Sequence, residues 1–119
     1  LTALSFVLVS ASDCSKKKVA GEKYKGRLEV AGICMNYTVS VVEGTIDPAL
    51  VVADWTDETT KKTYKNVFRL GNPCSFPPEI KAGDEFYFKI DTTKEKPCTV
   101  CLAYYPTPSK ALSIKIMKE

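Results

Sequence analysis

Five cysteines, Cys14, Cys34, Cys74, Cys98 and Cys101, are the residues of this 119-residue chain with the most chemistry open to them. Their thiolates can form disulfides, bind metal or, as a CxxC pair, exchange electrons. A redox CxxC normally opens a helix, whose end lowers a thiol pKa. Here Cys98 and Cys101 lie beside Thr99, Val100, Leu102, Tyr104 and Tyr105, a run with the composition of a strand. An odd spacing along a strand sends the two sulfurs to opposite faces, so a direct bridge is disfavoured and each is expected to pair elsewhere. Pairing four of the five allows 15 connectivities, from five choices of the free thiol and three pairings of the rest.

The chain has no histidine. That removes the usual general base, the Ser-His and Cys-His nucleophile pairs and most zinc sites. The adjacent acids Asp57-Glu58 and Asp84-Glu85 fall in turns, where solvated surface is the expectation, and no glycine-rich phosphate loop is present. No catalytic residue, metal or cofactor is expected, and the chain reads as a non-enzyme. Asn36-Tyr37-Thr38 is an N-glycosylation sequon, which requires an outward-facing Asn36.

The net charge of +3 comes from 17 Lys and Arg against 14 Asp and Glu, mostly as scattered lysines. Nucleic-acid binders concentrate charge on one face, and here only Lys16-Lys17-Lys18 is dense, with the look of a solvated tail. Residues 1–11 are apolar and uncharged but too short to cross a bilayer, which takes about 20 residues. They read as the end of a signal peptide cut before Ser12, with Val9 and Ala11 as the small residues at −3 and −1. Residues 12–119 then form one domain, secreted to the extracellular space or an endolysosomal lumen, where cysteines form disulfides.

The elements follow from alternation. Phe86, Phe88 and Ile90 oppose Glu85, Tyr87 and Lys89, which predicts a half-buried strand after an Ala82-Gly83-Asp84 turn. Leu28 and Val30 alternate with Arg27 and Glu29; Tyr37, Val39 and Val41 alternate with Asn36, Thr38 and Ser40. The stretch from Ala49 to Trp55 is apolar on both sides, as in a central strand, with Trp55 in the core. Thr63 to Leu70, Cys98 to Tyr105 and Leu112 to Met117 complete seven strands with no helical period between them. The expectation is an all-β domain, a seven-stranded immunoglobulin-like β-sandwich of two sheets, or alternatively an OB-type β-barrel.

From Ser12 onward the order of features resembles the ML lipid-recognition domain, the family of mite group 2 allergens, lysosomal cholesterol-transfer proteins and the ganglioside activator. Asp13-Cys14 matches its mature start, Gly32-Ile33-Cys34 its Gly-Cys with one residue inserted, and Pro77 to Gly83 running into Phe86-Tyr87-Phe88 its proline-lysine-glycine approach to an aromatic strand. The resemblance implies a lipid carrier with a sterol, fatty acid or lipid tail held between two sheets. The lining would come from the inward residues Val39, Val41, Phe68, Phe86, Phe88, Val100, Leu102, Tyr104, Leu112 and Ile114. The family's cysteine in the last strand is replaced by Ser113, and Cys98 and Cys101 are additions. The cross-linking it implies is therefore rearranged, for instance with Cys14 or Cys34 reaching Cys98 or Cys101.

A Pro-Cys loop leading to a Lys-x-Gly strand is also similar to the netrin-like module, an OB-type barrel found in metalloproteinase inhibitors. Those inhibitors chelate zinc through a mature N-terminal cysteine, whereas Cys14 stands third after the expected cut and Lys16 replaces the Cys-x-Cys partner. The second functional expectation is accordingly a secreted protein-binding module, an inhibitor or host-directed effector with a protein receptor. Tyr104-Tyr105 beside Pro106-Thr107-Pro108 would serve it as a rigid aromatic patch.

Overall fold

A computed structural model describes residues 23–92 and 103–117. Residues 1–11, expected to be the end of a signal peptide, and Cys14, the Lys16-Lys17-Lys18 run, Cys98, Val100, Cys101 and Leu102 all lie outside the described residues. Among the described residues there are seven strands: β1 (Tyr24–Gly32), β2 (Asn36–Glu43), β3 (Val52–Thr56), β4 (Thr63–Leu70), β5 (Glu85–Ile90), β6 (Ala111–Leu112) and β7 (Ile114–Met117). Between them lie three single-turn 3-10 segments, and no α-helix occurs among the described residues. No described helix is long and apolar enough to cross a membrane.

Hydrogen bonding joins the strands into one sheet in the order β3-β4-β2-β1-β5-β7, so the all-β expectation holds. All pairings are antiparallel except that of β6, which runs parallel to β4. The 111–117 segment serves two neighbours. Its first two residues register with Arg69 and Leu70 of β4, and its last four with Tyr87 to Ile90 of β5. Ser113 separates the two and divides the single strand expected there.

The core is the inner face of this sheet. Tyr24, Leu28, Val39, Val41, Phe68, Leu70, Phe86, Phe88 and Ile114 are buried in one cluster, with Ile46, Val51 and Phe76 supplied by loops. The parity read from β5 holds, since Phe86 and Phe88 point in while Glu85, Tyr87 and Lys89 point out. Phe88 is the hub: its ring lies 5.6 Å from that of Tyr24, 5.9 Å from Phe68 and 6.1 Å from Phe86. Gly26, opposite Phe86 in the register, makes room for these rings, because a Cβ there would stand 2.9 Å from Phe88 Cε2 and 3.2 Å from Phe86 Cε1.

Four expectations need correction. A register shift between Leu28 and Val30 breaks the alternation of β1, so Leu28 is buried and Val30 only half-buried. The apolar stretch from Ala49 begins as a 3-10 turn at Pro48–Leu50, capped by the Asp47 carboxylate, and its strand starts only at Val52. That strand is an edge, not a centre. Trp55 stacks there on its cross-strand partner Tyr64, 6.0 Å centroid to centroid, outside the core cluster. Third, residues 103–105 of the strand expected at Cys98–Tyr105 are irregular. Fourth, the supposedly polar face of β2 is covered: Thr38 and Ser40 are buried, as is Val67, which registers with Ser40 and so shares its face.

Candidate functional site

Of the ten residues expected to line a lipid cavity, Val39, Val41, Phe68, Phe86, Phe88 and Ile114 are buried in the core cluster and Leu112 packs against it. Tyr104 is on the outside, 74% exposed. The inward assignment of Tyr104 fails because residues 103–105 have no strand geometry to carry an alternation. Val100 and Leu102 fall outside the described residues. The six buried side chains belong to one hydrophobic cluster, in which the Phe68 and Phe86 rings both pack beside that of Phe88.

The exposed large hydrophobic residues among those described are Ile33, Met35 and Tyr104. They come from two segments far apart in sequence, and one side chain ties those segments together. Asn36 Nδ2 donates to Ile33 O at 2.8 Å and to Ala103 O at 3.2 Å, so both of its hydrogens are used. The tip carrying Ile33 and Met35 is the Ile33–Met35 3-10 turn between β1 and β2, where Cys34 (φ 56°) and Met35 (φ 60°) occupy the left-handed region. Such a conformation costs a non-glycine residue energy and persists only when surrounding contacts fix it. Cys34, in the middle of this turn, is disulfide-bonded, as is Cys74 in the turn after β4. Close by, the Phe76 ring lies 5.8 Å from that of Tyr37, so the 73–76 turn packs at the same end of the sheet.

The Tyr104 segment has a second anchor. The Tyr105 ring lies against Gly32, where an added Cβ would meet it at 2.8 Å, and Pro106 and Pro108 are buried. From there the Tyr105 hydroxyl reaches the β3–β4 hairpin, 3.0 Å from Thr59 Oγ1 and donating to Asp57 Oδ2 at 3.3 Å. Asp57 was expected on solvated surface. Instead it is fully buried and organises the hairpin: its Oδ1 accepts from Thr59 N at 2.8 Å and Thr59 Oγ1 at 2.6 Å, while its backbone brackets the turn with Lys61 and Lys62. Burial alone would push this carboxyl up. The hydrogen bonds from the Thr59 hydroxyl and N–H, then from Tyr105 and the Thr60 N–H, outweigh it and hold the group below the usual carboxylate range.

On the outer face of β1 and β2 lies an open groove of about 370 Å³, lined by Arg27, Glu29, Ser40 to Val42 and Lys62 to Lys65. Three of its four charged side chains, Arg27, Glu29 and Lys65, are paired, while Lys62 Nζ lies over the Tyr64 ring, 5.7 Å from its centroid. Arg27 bonds Glu85 through Nε and Nη2 and Glu29 through Nη1, Ser40 Oγ donates to Glu29 at 2.7 Å, and Lys65 pairs with Asp54 at 2.6 Å. Hydrogen bonds from Arg27 and then Lys25 lower the Glu85 pKa, and burial only partly opposes them. Among the described residues no cluster of three potential metal ligands occurs.

Sequence reasoning gave Tyr104 two places, a cavity lining and an exposed aromatic contact patch, read Asn36 only as a sequon and Asp57 only as a solvated turn acid, and missed Ile33 and Met35. One signal was available: no charged residue occurs between Val30 and Val42 or between Pro97 and Ser109, in a chain otherwise dotted with lysines and acids. Two uncharged runs that meet in space mark a surface depleted of charge. No family model, no curated protein and no solved structure matches the chain.

Proposed function

We propose that this chain is a secreted protein-binding module, whose contact surface is the uncharged pole formed by Ile33, Met35 and Tyr104. The observation that carries the reading is that Asn36 ties the Ile33–Met35 turn to Ala103, the neighbour of Tyr104, so that the two segments bearing the three exposed side chains are held together before any partner arrives. Interface cores are depleted in charge and enriched in tyrosine and methionine, and a contact loop fixed in advance loses less entropy on binding. Disulfide-bonded Cys34 and Cys74 suit an oxidising compartment, in keeping with the leader-like residues 1–11.

For the scaffold we infer a partly open OB-type barrel of the netrin-like kind. Its support is the strand circuit: β4-β2-β1-β5 is continued by β7, and β6, one residue away from β7, lies parallel to β4. One hydrogen-bonded sheet with a single core cluster favours a barrel, since a sandwich is built from two sheets. A lipid carrier, the first expectation of the sequence, would hold its cargo where Phe68, Phe86 and Phe88 stand ring against ring.

A photo-crosslinking residue placed at Met35 tests the reading. It should capture one secreted or surface protein saturably, with capture competed by unlabelled wild type and at least tenfold less well by Ile33→Lys or Tyr104→Glu. Equal competition by these folded variants would overturn it. So would co-purification of stoichiometric lipid in native mass spectrometry.

A further inference from the structure

Asn36 has two claims on one nitrogen. As the acceptor of the Asn36-Tyr37-Thr38 sequon, Nδ2 would attack the anomeric carbon of a polyprenyl-diphosphate-linked oligosaccharide, lose one proton and release the diphosphate. The product amide keeps a single N–H. As the clasp of the contact pole, the same nitrogen spends two hydrogens, one on Ile33 O and one on Ala103 O. The two uses are exclusive by hydrogen count. They are exclusive in space as well, since a sugar on Nδ2 would lie between the two segments that the bond to Ala103 draws together.

We propose that Asn36 is a modification-controlled clasp: a chain glycosylated at Asn36 lacks the preformed Ile33–Met35–Tyr104 patch, and the unmodified chain is the binding form. This rests on the protein-contact reading only for its consequence, because the state of the clasp is measurable without a partner.

The third sequon residue provides the control. Thr38 is fully buried and its Oγ1 has no hydrogen-bond partner, so Thr38→Val removes the hydroxyl that glycan transfer requires while leaving both Asn36 bonds and the packing volume in place. Asn36→Asp, conversely, removes the two donors and adds no sugar.

The experiment uses the full chain, glycosylated at Asn36 in its reduced, unfolded state by purified oligosaccharyltransferase with a short lipid-linked oligosaccharide, then refolded and trimmed to a single N-acetylglucosamine. Hydrogen exchange is read at amides 32–36 and 103–105, with core amides of β5 as the internal check on folding. The glycosylated chain and Asn36→Asp should both exchange about tenfold faster at the pole with the core unchanged, while Thr38→Val matches wild type. Wild-type protection at the pole of the glycosylated chain would overturn the proposal, and so would wild-type protection in Asn36→Asp. Loss of pole protection without any effect on partner capture would instead keep the clasp and remove the contact reading.

Discussion

The interior around Phe88 and the clasped pole around Asn36 and Asp57 are held together by different physics. In the interior, aromatic rings pack against one another and against aliphatic side chains, and shape is the main constraint. At the pole, irregular backbone that no ladder satisfies is held by a few side-chain hydrogen bonds, each with a counted donor and acceptor. The first region should therefore respond to changes of volume and the second to changes of hydrogen-bond number, even when volume is kept.

The largest effect should come from the interior. Phe88→Ala leaves a void at the meeting point of three rings and is expected to cost about 3–5 kcal/mol, read as a lowered urea midpoint. The opposite change at the same place should also hurt. Gly26→Ala puts a methyl 2.9 Å from Phe88 and should cost about 1–3 kcal/mol. Combining it with Phe88→Leu should recover part of that loss, since the two changes occupy one space; strict additivity would mean that the contact is not what makes Gly26 necessary.

At the pole, Asp57→Asn preserves volume and removes charge. It weakens the bonds from Thr59 and Tyr105 and should cost about 1–2 kcal/mol, with no change in the near-ultraviolet signature of the core aromatics. The Asp57 pKa is lowered in the folded state, so its contribution is present above the unfolded value of about 3.9 and is lost as pH falls through the folded value. Wild type should thus lose more stability than Asp57→Asn as pH is lowered below about 4. Equal losses would place the titration elsewhere.

Tyr105→Phe, which removes one hydroxyl, should cost about 1 kcal/mol and expose the hairpin to exchange at Thr59 and Thr60. Smallest of all, Thr38→Val should be neutral or slightly stabilising, because the deleted hydroxyl is already unsatisfied. A loss beyond about 1 kcal/mol there would show that the outer face of β2 depends on that oxygen.

The interior was legible in the sequence because alternation is a local signal. Phe86 and Phe88 declare their face within a six-residue strand, and Val39 and Val41 do the same. Leu28 was legible for the same reason; Val30 was not, since a register shift leaves no mark in composition. Thr38 and Ser40 looked solvated because polarity reports what a strand face tolerates, whereas burial depends on neighbours in the adjacent strands, such as Glu29 and Val67 beside Ser40. Asp57 shows the same limit more sharply: DETTKK reads as an exposed charged loop, and only the approach of Tyr105, 48 residues later, turns its first carboxylate into an anchor. Trp55 was misplaced because an edge strand and a central strand can share an apolar sequence. The contact pole left one faint trace, the two runs without charge.

The way the 111–117 segment divides its bonds between β4 and β5 has a consequence for biosynthesis. A chain emerging from its amino end can build β1, β2, β3, β4 and β5, yet until that last segment emerges the flanks of β4 and β5 that it later covers have no strand to pair with. Through that interval the nascent protein carries two open flanks and part of its aromatic interior toward solvent, the condition in which chains stick to one another. Completion waits on contacts as distant as Arg69 with Ala111, so this step should be slow relative to the hairpins before it, and the load on chaperones greatest just before the 111–117 segment docks.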